Sequence, residues 1–487
     1  MRVAAVLLQW ALVASWVTVV GGEQRGYYCY EDGHLHTNRA CRFFAIVIDA
    51  GSTGTRMHVY RFVHSTAPHG LPFHVEHEEF FETKPALSSF VKNPPGAAES
   101  IRGLLESAKK VVPRELRSKT PIALKATAGL RLLPGDAAES ILREASSAVH
   151  QSGFACIGEC VGVLKGWEEG VHSWFTLNLL LENFNHDSRG HEVDPAPARS
   201  VAAFDLGGGS TQVTYWPRSE SVFRNHPKDR RDIHFFHTHM HLYTHSYLGL
   251  GLQSARLGVL KMETIDKGAS ELRSACFPAD FRLPEWEQSQ KKWSIRGTSE
   301  YAYDKCAKRV RKFVRASGIA PLTGIEGESL YLFSYFFDRA EQAGLVEEGK
   351  GRATVRVGQF AEVARKACAR STSDLSSGAH WLPWQCMDLA FIHSLLKDGY
   401  GLPDDREVVL ARSIRGMGVS WAQGLSYALV NEYHAQRALE DVDDAKPTVI
   451  PSDDLRINTT GVEIVDSLLT VIHQTTTDVL QYFNLVS

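Results

Sequence analysis

The chain has 487 residues, more than one hydrophobic core usually supports, so its length predicts two domains. Hydrophobic residues make up 44% and charged residues 22%, which is ordinary for a folded protein and argues against large-scale disorder. The net charge of −3 provides no basic face for DNA or RNA, so we expect no nucleic-acid partner.

The N-terminal segment, residues 1–22, has the pattern of a targeting signal. Arg2 precedes an almost wholly apolar run over residues 3–20, and Gly21 and Gly22 follow it. A cleaved secretory signal peptide and an uncleaved signal anchor both fit this length, and the two alternatives stay open. Apart from such an anchor we expect no membrane span. The expected location is the lumen of the endoplasmic reticulum or Golgi, or outside the cell.

The eight cysteines agree with an oxidising compartment, where disulfides persist. The sequence alone does not fix their connectivity, although no CxxC spacing typical of a zinc site occurs. The sequon at Asn458 is consistent with a glycoprotein of the same compartment. Clustering along the chain favours four local bridges: Cys29 with Cys41, Cys156 with Cys160, Cys276 with Cys306, and Cys368 with Cys386.

Two similar strand–turn–strand segments stand far apart in the sequence. The first reads FFAIVID-AGSTGT-RMHVYRF from residue 43, and the second reads VAAFD-LGGGST-QVTYW over residues 201–216. In this alignment Asp49 matches Asp205. Each segment predicts a β-hairpin with a small-residue turn. A repeat at this spacing predicts two related lobes, each opening with such a hairpin.

The segments around these hairpins alternate between helical and extended patterns. Residues 97–112, 136–151 and 171–184 carry apolar residues at helical spacing, whereas residues 121–126 read as a short strand. Residues 283–300 are polar and read as a surface insertion. The alternation predicts an α/β fold.

The chemistry of the two turns favours a bound phosphate and a metal ion. Glycine leaves room for backbone N–H groups to approach an anion, and Ser and Thr hydroxyls add further donors. An aspartate at the strand end supplies the hard carboxylate oxygen that Mg²⁺ or Ca²⁺ prefers. One such turn is common for structural reasons, but two in the same order indicate phosphate chemistry.

Five motifs, in this order, resemble the signature regions of the nucleoside triphosphate diphosphohydrolase (apyrase) family. The resemblance covers nearly the whole chain after about residue 40. Further stretches, such as YTHSYLGLG and CMDLAFI, are similar to the soluble, diphosphate-preferring subgroup, which is lumenal or secreted. Gln423 departs from the Leu that is common in the fifth motif. The motifs are DAGSTGTR at residues 49–56, ATAGLR at 126–131, GWEEG at 166–170, DLGGGSTQ at 205–212 and SWAQG at 420–424.

The resemblance implies two RNase H-like α/β lobes of the actin-like (ASKHA) type, with the active site in the interlobe cleft. We expect lobe one over residues 40–170, completed by the C-terminal segment 426–487, and lobe two over residues 171–425. The implied activity is metal-dependent hydrolysis of nucleoside diphosphates such as UDP and GDP, with triphosphates as a second class of substrate. The implied cofactor is Ca²⁺ or Mg²⁺. The sequence chooses neither ion and sets no oligomeric state.

The family's reacting residues carry over by motif position. The resemblance implies that Asp49 and Asp205 hold the metal through water. It also implies that Glu169 acts as the catalytic base and that Gln212 orients the attacking water or a metal-bound water. Glu168 is the alternative base, but adjacent residues on a regular element point apart, and motif register favours Glu169.

Other implied roles concern substrate binding. Arg56 is expected to neutralise phosphate charge, and Thr127, with Arg131, to hold the second motif in place. The base-contacting aromatics are sought at Tyr335 to Phe337 and at Trp421, and we assign Tyr335, Phe337 and Trp421, although aromatic side chains also gather in cores. The implied phosphate-binding residues are Gly51, Ser52, Thr53, Gly54, Gly207, Gly208, Gly209, Ser210 and Thr211.

Two rival functions stay open. A phosphotransferase of the same build would pass phosphate to a bound acceptor, and a non-catalytic module would bind nucleotide without cleaving it. A carboxylate base facing water favours hydrolysis over both. No GxxxxGK[ST] motif occurs, so a P-loop enzyme is excluded.

A histidine-rich stretch is the last feature with possible ligands. His237, His239 and His241 alternate, so on a strand they share one face. A metal site and a hydrated strand both fit this pattern, and the hydrated strand is favoured.

Overall fold

The computed structural model describes residues 28–31, 34–35, 40–64, 71, 73–184, 196–235, 238–264, 270–376 and 378–444. The predicted signal segment 1–22, the sequon at Asn458, the C-terminal part of segment 426–487 and, of the three alternating histidines, His237 lie outside these residues. Within them, no helix combines the length and the apolar character needed to cross a bilayer.

Seven strands form the N-terminal half of the fold. With the strands numbered along the chain, β1 and β2 form a two-stranded ribbon. Strands β3 to β7 then form a five-stranded sheet of order β5-β4-β3-β6-β7. These strands are β1 (Tyr30–Glu31), β2 (His34–Leu35), β3 (Cys41–Ala50), β4 (Thr55–His64), β5 (Phe73–Thr83), β6 (Ile122–Ala126) and β7 (Val161–Val163). β5-β4 and β4-β3 are antiparallel, whereas β3-β6 and β6-β7 are parallel.

The C-terminal half is built on a seven-stranded sheet of order β10-β11-β9-β8-β15-β17-β16. A three-stranded sheet, β12-β14-β13, and a small ribbon, β18-β19, complete the strands. Their bounds are β8 (Ala202–Leu206), β9 (Ser210–Tyr215), β10 (Arg230–Phe235), β11 (Thr238–Leu248), β12 (Glu271–Ser274), β13 (Arg282–Gln288), β14 (Lys291–Gly297), β15 (Leu330–Ser334), β16 (Arg352–Arg356), β17 (Glu407–Ala411), β18 (Ser413–Ile414) and β19 (Met417–Gly418).

The two large sheets share one topology. In the second sheet β11-β9 and β9-β8 are antiparallel, and β8-β15 and β15-β17 are parallel. That sequence of pairings repeats β5-β4-β3-β6-β7 of the first sheet. β3 and β8 occupy the same central place, and both are buried along nearly their whole length. The α/β class and the predicted duplication are therefore confirmed.

Helices cover the faces of both sheets. In α1 the buried residues recur at Ala97, Ile101, Leu104 and Ala108, so one face of the helix packs on the core. The helices are α1 (Pro94–Val111), α2 (Ala128–Arg131), α3 (Ala137–His150), α4 (Gly166–Leu180), α5 (Ser221–Asn225), α6 (Leu252–Glu263), α7 (Tyr303–Ala316), α8 (Tyr335–Gln342), α9 (Val357–Ala367), α10 (Thr372–Ser376), α11 (Gln385–Ser394) and α12 (Trp421–Asp444). Short 3-10 turns occur at Leu87–Lys92, Arg114–Lys119, Pro197–Arg199, Pro227–Asp229 and Leu382–Trp384, and a π-helical turn at Leu395–Gly399.

Two of these helices join the sheets. α4 packs on β8, β9 and β11 of the second sheet, whereas α12 packs on β3 of the first sheet, and α4 and α12 pack on each other. Gly170 lets α4 lie close to β9, because a Cβ atom there would come within 2.6 Å of Thr214 Oγ1. The expected boundaries at 170/171 and 425/426 fall within α4 and α12, and that division stays a prediction.

The four predicted disulfides are confirmed. Two of them connect helices to neighbouring segments of the second half, at Cys276–Cys306 and Cys368–Cys386. The other two, Cys29–Cys41 and Cys156–Cys160, lie in the first half. No cysteine is free.

Candidate active site

The two predicted phosphate turns face each other across one cavity of about 500 Å³. The β3–β4 turn contributes from the first sheet and the β8–β9 turn from the second. Ser52 of one turn lies against Gly208 of the other, so closely that a Cβ atom on Gly208 would come within 2.3 Å of Ser52 Oγ. Residues from all five motifs line the cavity, and the fifth motif contributes Ser420 and Trp421. The predicted residues in its wall are Asp49, Gly51, Ser52, Thr53, Arg56, Thr127, Glu169, Asp205, Gly207, Gly208, Gly209, Ser210, Tyr335 and Trp421.

The two aspartates reach this cavity from equivalent ends of β3 and β8. Burial raises the pKa of Asp49 to about 6, against the opposing effect of Arg56 and with a further rise from Asp205. Burial also raises the pKa of Asp205, although hydrogen bonds from Ser334 and Ser173 oppose the rise. Both carboxyls are thus held where their negative charges are poorly solvated.

Glu168 and Glu169 diverge because successive helical residues point in different directions. Glu169 is buried and lines the cavity between the turns. Glu168 accepts a hydrogen bond of 2.8 Å from the backbone N–H of Lys165, which caps the start of α4. It lines a separate, larger cavity of about 800 Å³ on the other side of α4. Only Glu169 therefore faces the phosphate turns.

Glu169 is held by two side chains. Arg131 at the end of α2 donates to Glu169 Oε2, and Gln212 Nε2 donates to the same oxygen at 3.0 Å. Gln212 Nε2 also lies 2.8 Å from Ser210 Oγ and 3.0 Å from Ser246 Oγ of β11. Burial raises the pKa of Glu169 to about 8, Arg131 acts against that rise, and the nearby Asp205 and Asp49 add to it.

The donor set suits a hard divalent cation. Asp49 lines the cavity, and its Oδ1 atom is buried without a hydrogen-bond partner among the described residues. Carboxylate oxygens are among the ligands that Ca²⁺ and Mg²⁺ prefer. Asp205 raises the pKa of Asp49, and both aspartates raise the pKa of Glu169, so ionising these acidic groups together costs free energy. A cation would relieve that repulsion. The residues therefore fit the cofactor that the sequence predicts.

Arg56 supplies positive charge at the edge of the cavity. Its Nη1 lies 3.9 Å from Asp49 Oδ2, and its Nη2 lies 3.2 Å from Glu82 Oε1. The same Nη2 donates to Thr53 Oγ1 at 3.3 Å. The guanidinium thus spans one aspartate and the first phosphate turn.

Four of the predicted residues lie behind the cavity wall. Gln212 does not line the cavity but is hydrogen-bonded to Glu169, which does. Thr211 is fully buried, and its hydroxyl donates to the backbone O of Asp205 at 2.7 Å. Phe337 is 1% exposed and packs in the core beneath Arg412, whose guanidinium carbon lies 4.5 Å from the ring centroid. Gly54 does not line the cavity either.

Several residues of the wall were not predicted. His58 and Phe80 come from β4 and β5, and Ser334, Asp338 and Arg412 come from the second sheet and its connections. Ser334 has a positive φ of 57°, which is uncommon for a residue other than glycine. Ser334 directly precedes Tyr335, so the aromatic stretch considered for the nucleobase was the available signal. For Arg412 the sequence carries no comparable signal.

Besides the single-turn helix α2, which begins at Ala128, three longer helices begin at this wall. Glu169 lies in the first turn of α4, while Tyr335 and Trp421 are the first residues of α8 and α12. The cavity is therefore bounded by two glycine-rich turns and by the N-termini of these three longer helices.

The motifs and the geometry agree with comparisons to known proteins. The model of the GDA1/CD39 (nucleoside phosphatase) family matches residues 35–442. The chain belongs to this family. As a GDA1/CD39 protein it is an enzyme of the nucleoside phosphatase class, and the predicted resemblance is confirmed.

Relatives of the GDA1/CD39 family include proteins named for diphosphate cleavage. The chain is 48% identical over 466 residues to nucleoside-diphosphatase uda-1 of Caenorhabditis elegans, with 95% of each chain covered. It is 37% identical over 395 residues to nucleoside diphosphate phosphatase ENTPD5 of Homo sapiens, with 80% of this chain and 88% of that protein covered. It is 36% identical over 402 residues to ectonucleoside triphosphate diphosphohydrolase 6 of Mus musculus, with 81% and 83% covered.

One solved structure bears on the fold of this GDA1/CD39 member. The nucleoside triphosphate hydrolases from Neospora caninum superimpose with a TM-score of 0.57 over 82% of this chain and 95% of that chain. Sequence identity is 15%, so the likeness shows the fold alone. It confirms the expected two-lobed, actin-like architecture.

Proposed function

We propose that this nucleoside phosphatase hydrolyses nucleoside diphosphates, UDP and GDP among them, to the monophosphate and inorganic phosphate. The observation that supports this most is the position of Glu169, which faces the cavity between two phosphate turns and is held by Arg131 and Gln212. The worm and human relatives named for diphosphate cleavage support the choice of diphosphates over triphosphates.

In this proposal Glu169 takes the proton of an attacking water. Phosphoryl transfer needs charge neutralisation and a nucleophile held in line, and it needs little covalent work from the protein. The ionised carboxylate of Glu169 acts as the general base, and Arg131 favours that ionised form. Gln212 fixes the direction of the carboxylate through its hydrogen bond to Oε2.

The two turns hold the terminal phosphate. Ser52 and Thr53 offer hydroxyl donors from the first turn, and Ser210 offers one from the second. Arg56 adds a positive charge beside Thr53. Donors that are already oriented at the developing charge stabilise the transition state more than solvent water does.

A divalent cation, Ca²⁺ or Mg²⁺, bound through water by Asp49 and Asp205 would neutralise phosphate charge and polarise the phosphoryl group. The carboxylates alone repel a polyphosphate, so nucleotide affinity should depend on the cation. Chelation with EDTA is expected to abolish phosphate release, and either ion added back is expected to restore it.

Tyr335 is the proposed contact for the nucleobase. It is partly exposed in the cavity wall, whereas Trp421 is 4% exposed and Phe337 does not reach the wall. Stacking of a nucleobase on an aromatic ring makes the binding free energy more favourable by about 1–3 kcal/mol. Tyr335→Ala should therefore raise KM for every nucleotide, with little change in kcat.

The first test is phosphate release from UDP, GDP, ADP, ATP and UTP by the purified protein. Glu169→Gln is expected to lower kcat by roughly 10²–10⁴-fold, the usual contribution of a general base. Glu168→Gln is the matched control, because its side chain caps α4 and faces away from the turns. Near-normal turnover in Glu169→Gln would overturn the assigned role.

The same panel separates the rival functions. Faster cleavage of ATP and UTP than of UDP and GDP would keep the chemistry and replace the proposed substrate. Nucleotide binding without phosphate release would favour a non-catalytic module. Phosphate appearing on an added acceptor, with none released, would favour a phosphotransferase.

We also propose that the protein works in the lumen of the secretory pathway or outside the cell. The apolar N-terminal segment and the four disulfides support this location. Protection from added protease in sealed microsomes, or recovery from the medium, is the expected result. Cytosolic recovery with reduced cysteines would contradict it.

A further inference from the structure

The hairpin formed by β10 and β11 carries three histidines and one aspartate on the same face. Asp232 pairs with His241 across the two strands, and His234 pairs with His239. Cross-strand partners and residues two apart on a strand point to the same side of a sheet. These four residues are referred to below as the hairpin cluster.

The side chains of the hairpin cluster are already close together. Single ligand atoms of Asp232, His239 and His241 all lie within 4.8 Å of one another. The rings of His239 and His241 have centroids 4.6 Å apart, and those of His234 and His239 have centroids 4.7 Å apart. Ligands bound to zinc at about 2.0–2.1 Å in tetrahedral geometry lie about 3.3 Å apart, so small side-chain rotations suffice.

We propose that the hairpin cluster binds a divalent transition-metal ion of the zinc type, separate from the cation of the active site. His239 and His241 supply imidazole nitrogens, Asp232 supplies a carboxylate oxygen, and His234 stands next to them as the fourth ligand. Imidazole ligands favour zinc, copper and nickel, whereas calcium and magnesium favour oxygen. The two cation sites therefore select different ions.

Without a metal ion, hydrogen bonds among Asp232, Arg230 and His241 fix the positions of these side chains. Asp232 Oδ1 lies 2.6 Å from His241 Nδ1, and Arg230 Nε donates to the same oxygen at 2.8 Å. A metal ion held by Asp232 and His241 would take the place of the proton that these two atoms now share, so His241 would bind it through Nδ1. Arg230 Nη2 also lies 3.0 Å from His241 Nδ1 and would move aside when the ion binds. Arg230 is also paired with Glu220 at 2.8 Å, so a metal ion does not leave it without an anion.

Other histidine and cysteine groups of the described residues do not compete for such an ion. His150 lies near Cys156 and Cys160, and three further cysteines lie together near residue 306. All of these cysteines are in disulfides, so they offer no thiolate. Within the hairpin cluster, Asp232, His239 and His241 form the remaining histidine-containing group within ligand distance among those residues.

Metal binding here would tie together two strands at the edge of the second sheet. β10 is the last strand of that sheet and pairs with β11 alone. β11 continues to Ser246, which lies 3.0 Å from the side-chain amide of Gln212. A bound ion should therefore raise the melting temperature of the wild-type protein.

The test is equilibrium dialysis of tag-free full-length protein against Zn²⁺ in excess Mg²⁺, so that oxygen sites such as the active site are filled. One tightly bound Zn²⁺ per chain is expected, and Ca²⁺ should not displace it. The double variant His239→Gln/His241→Gln is expected to lose this ion. Asp232→Asn replaces a charged ligand by a neutral amide and is expected to weaken binding by at least about 10-fold, the lower end of what the loss of an outer-shell partner costs. His77→Gln removes an exposed histidine paired with Glu79 and serves as the matched control.

Two further measurements distinguish a loss of metal binding from a loss of folding. Unchanged melting temperatures in EDTA and unchanged phosphate release would show that the variants are folded. A rise in melting temperature with Zn²⁺ in the wild type and in His77→Gln, but not in the double variant, would support the site. Equal Zn²⁺ binding by the double variant, or no stoichiometric Zn²⁺ in the wild type, would overturn it.

Discussion

Replacing Arg131 by methionine is expected to move the pH dependence of phosphate release to higher pH. Arg131 donates directly to the carboxylate of Glu169, and the two side chains are only 14% and 9% exposed. Burial alone drives the pKa of Glu169 upward, and the guanidinium is the largest influence that opposes it. The positive charge favours the ionised carboxylate, so its removal should raise the pKa of Glu169.

The size of the shift follows from the closeness of the pair. An opposite charge in direct contact lowers a carboxyl pKa by about 1–3 units, which corresponds to about 1.4–4 kcal/mol between the two protonation states. A base acts only when it is ionised. On the acidic side of the profile, each unit of upward shift should therefore lower the rate about tenfold.

The assay is kcat and kcat/KM for UDP, measured between about pH 5 and about pH 10 with saturating cation. The acidic limb is expected to move upward in Arg131→Met and to stay close to its original position in Arg131→Lys, which keeps the charge. Arg131 Nη2 also lies 3.4 Å from Ser210 Oγ of the second phosphate turn. If the loss of this contact weakens phosphate binding in Arg131→Met, KM should rise. That effect changes the height of the kcat/KM profile without moving its limb.

Two results would refute this reasoning. An equal loss of kcat at every pH would mean that Arg131 acts only as a structural support. A shift of the acidic limb to lower pH would mean that another group controls the profile.

Three further predictions follow from the structure. Asp388→Asn should lower the free energy of unfolding by about 3–5 kcal/mol, because it leaves the buried guanidinium of Arg256 without its anion. Thermal or urea unfolding measures this loss. Ca²⁺ affinity, measured by calorimetry, should rise from about pH 5 to about pH 8, because the raised pKa of Asp49, about 6, makes protons compete with the ion. Removing the Cys276–Cys306 bridge by alanine substitution should lower the free energy of unfolding by about 3.6 kcal/mol, because the two cysteines are 30 residues apart in the sequence.

Each of these predictions has its own control. Glu271→Gln breaks an exposed ion pair with Arg273 and should cost less than about 1 kcal/mol, so an equal loss in both variants would contradict the buried-pair argument. A Ca²⁺ affinity that stays flat with pH would contradict the raised pKa of the aspartates. Removing the Cys156–Cys160 bridge, with a separation of 4 residues, should cost only about 1.9 kcal/mol.

The hairpins and their order could be predicted because their signals are local. Asp49 ends a strand of buried apolar residues and precedes a turn of small residues, and Asp205 does the same. Strand, turn and strand lie within about twenty residues in each case, so the pattern does not depend on distant parts of the chain. The common topology of the two sheets then follows from the repeat.

Other parts of the site could not be predicted because they depend on tertiary packing. Phe337 was expected at the nucleobase, yet it lies two residues into α8 and points into the core, whereas Tyr335 at the helix start reaches the cavity. Arg412 enters the wall after a strand from another part of the chain. Glu168 and Glu169 were separated only by motif register, and the start of α4 gives the physical reason for that choice.

The three longer helices that begin at the cavity wall have an electrostatic consequence. The N-terminus of a helix carries about half a positive elementary charge, because its first backbone N–H groups have no partner within the helix. α4, α8 and α12 therefore add a positive potential that comes from the backbone and does not titrate. A phosphate group approaching the cleft meets this potential at every pH, so this part of the attraction stays the same where protonation of the aspartates has already weakened cation binding.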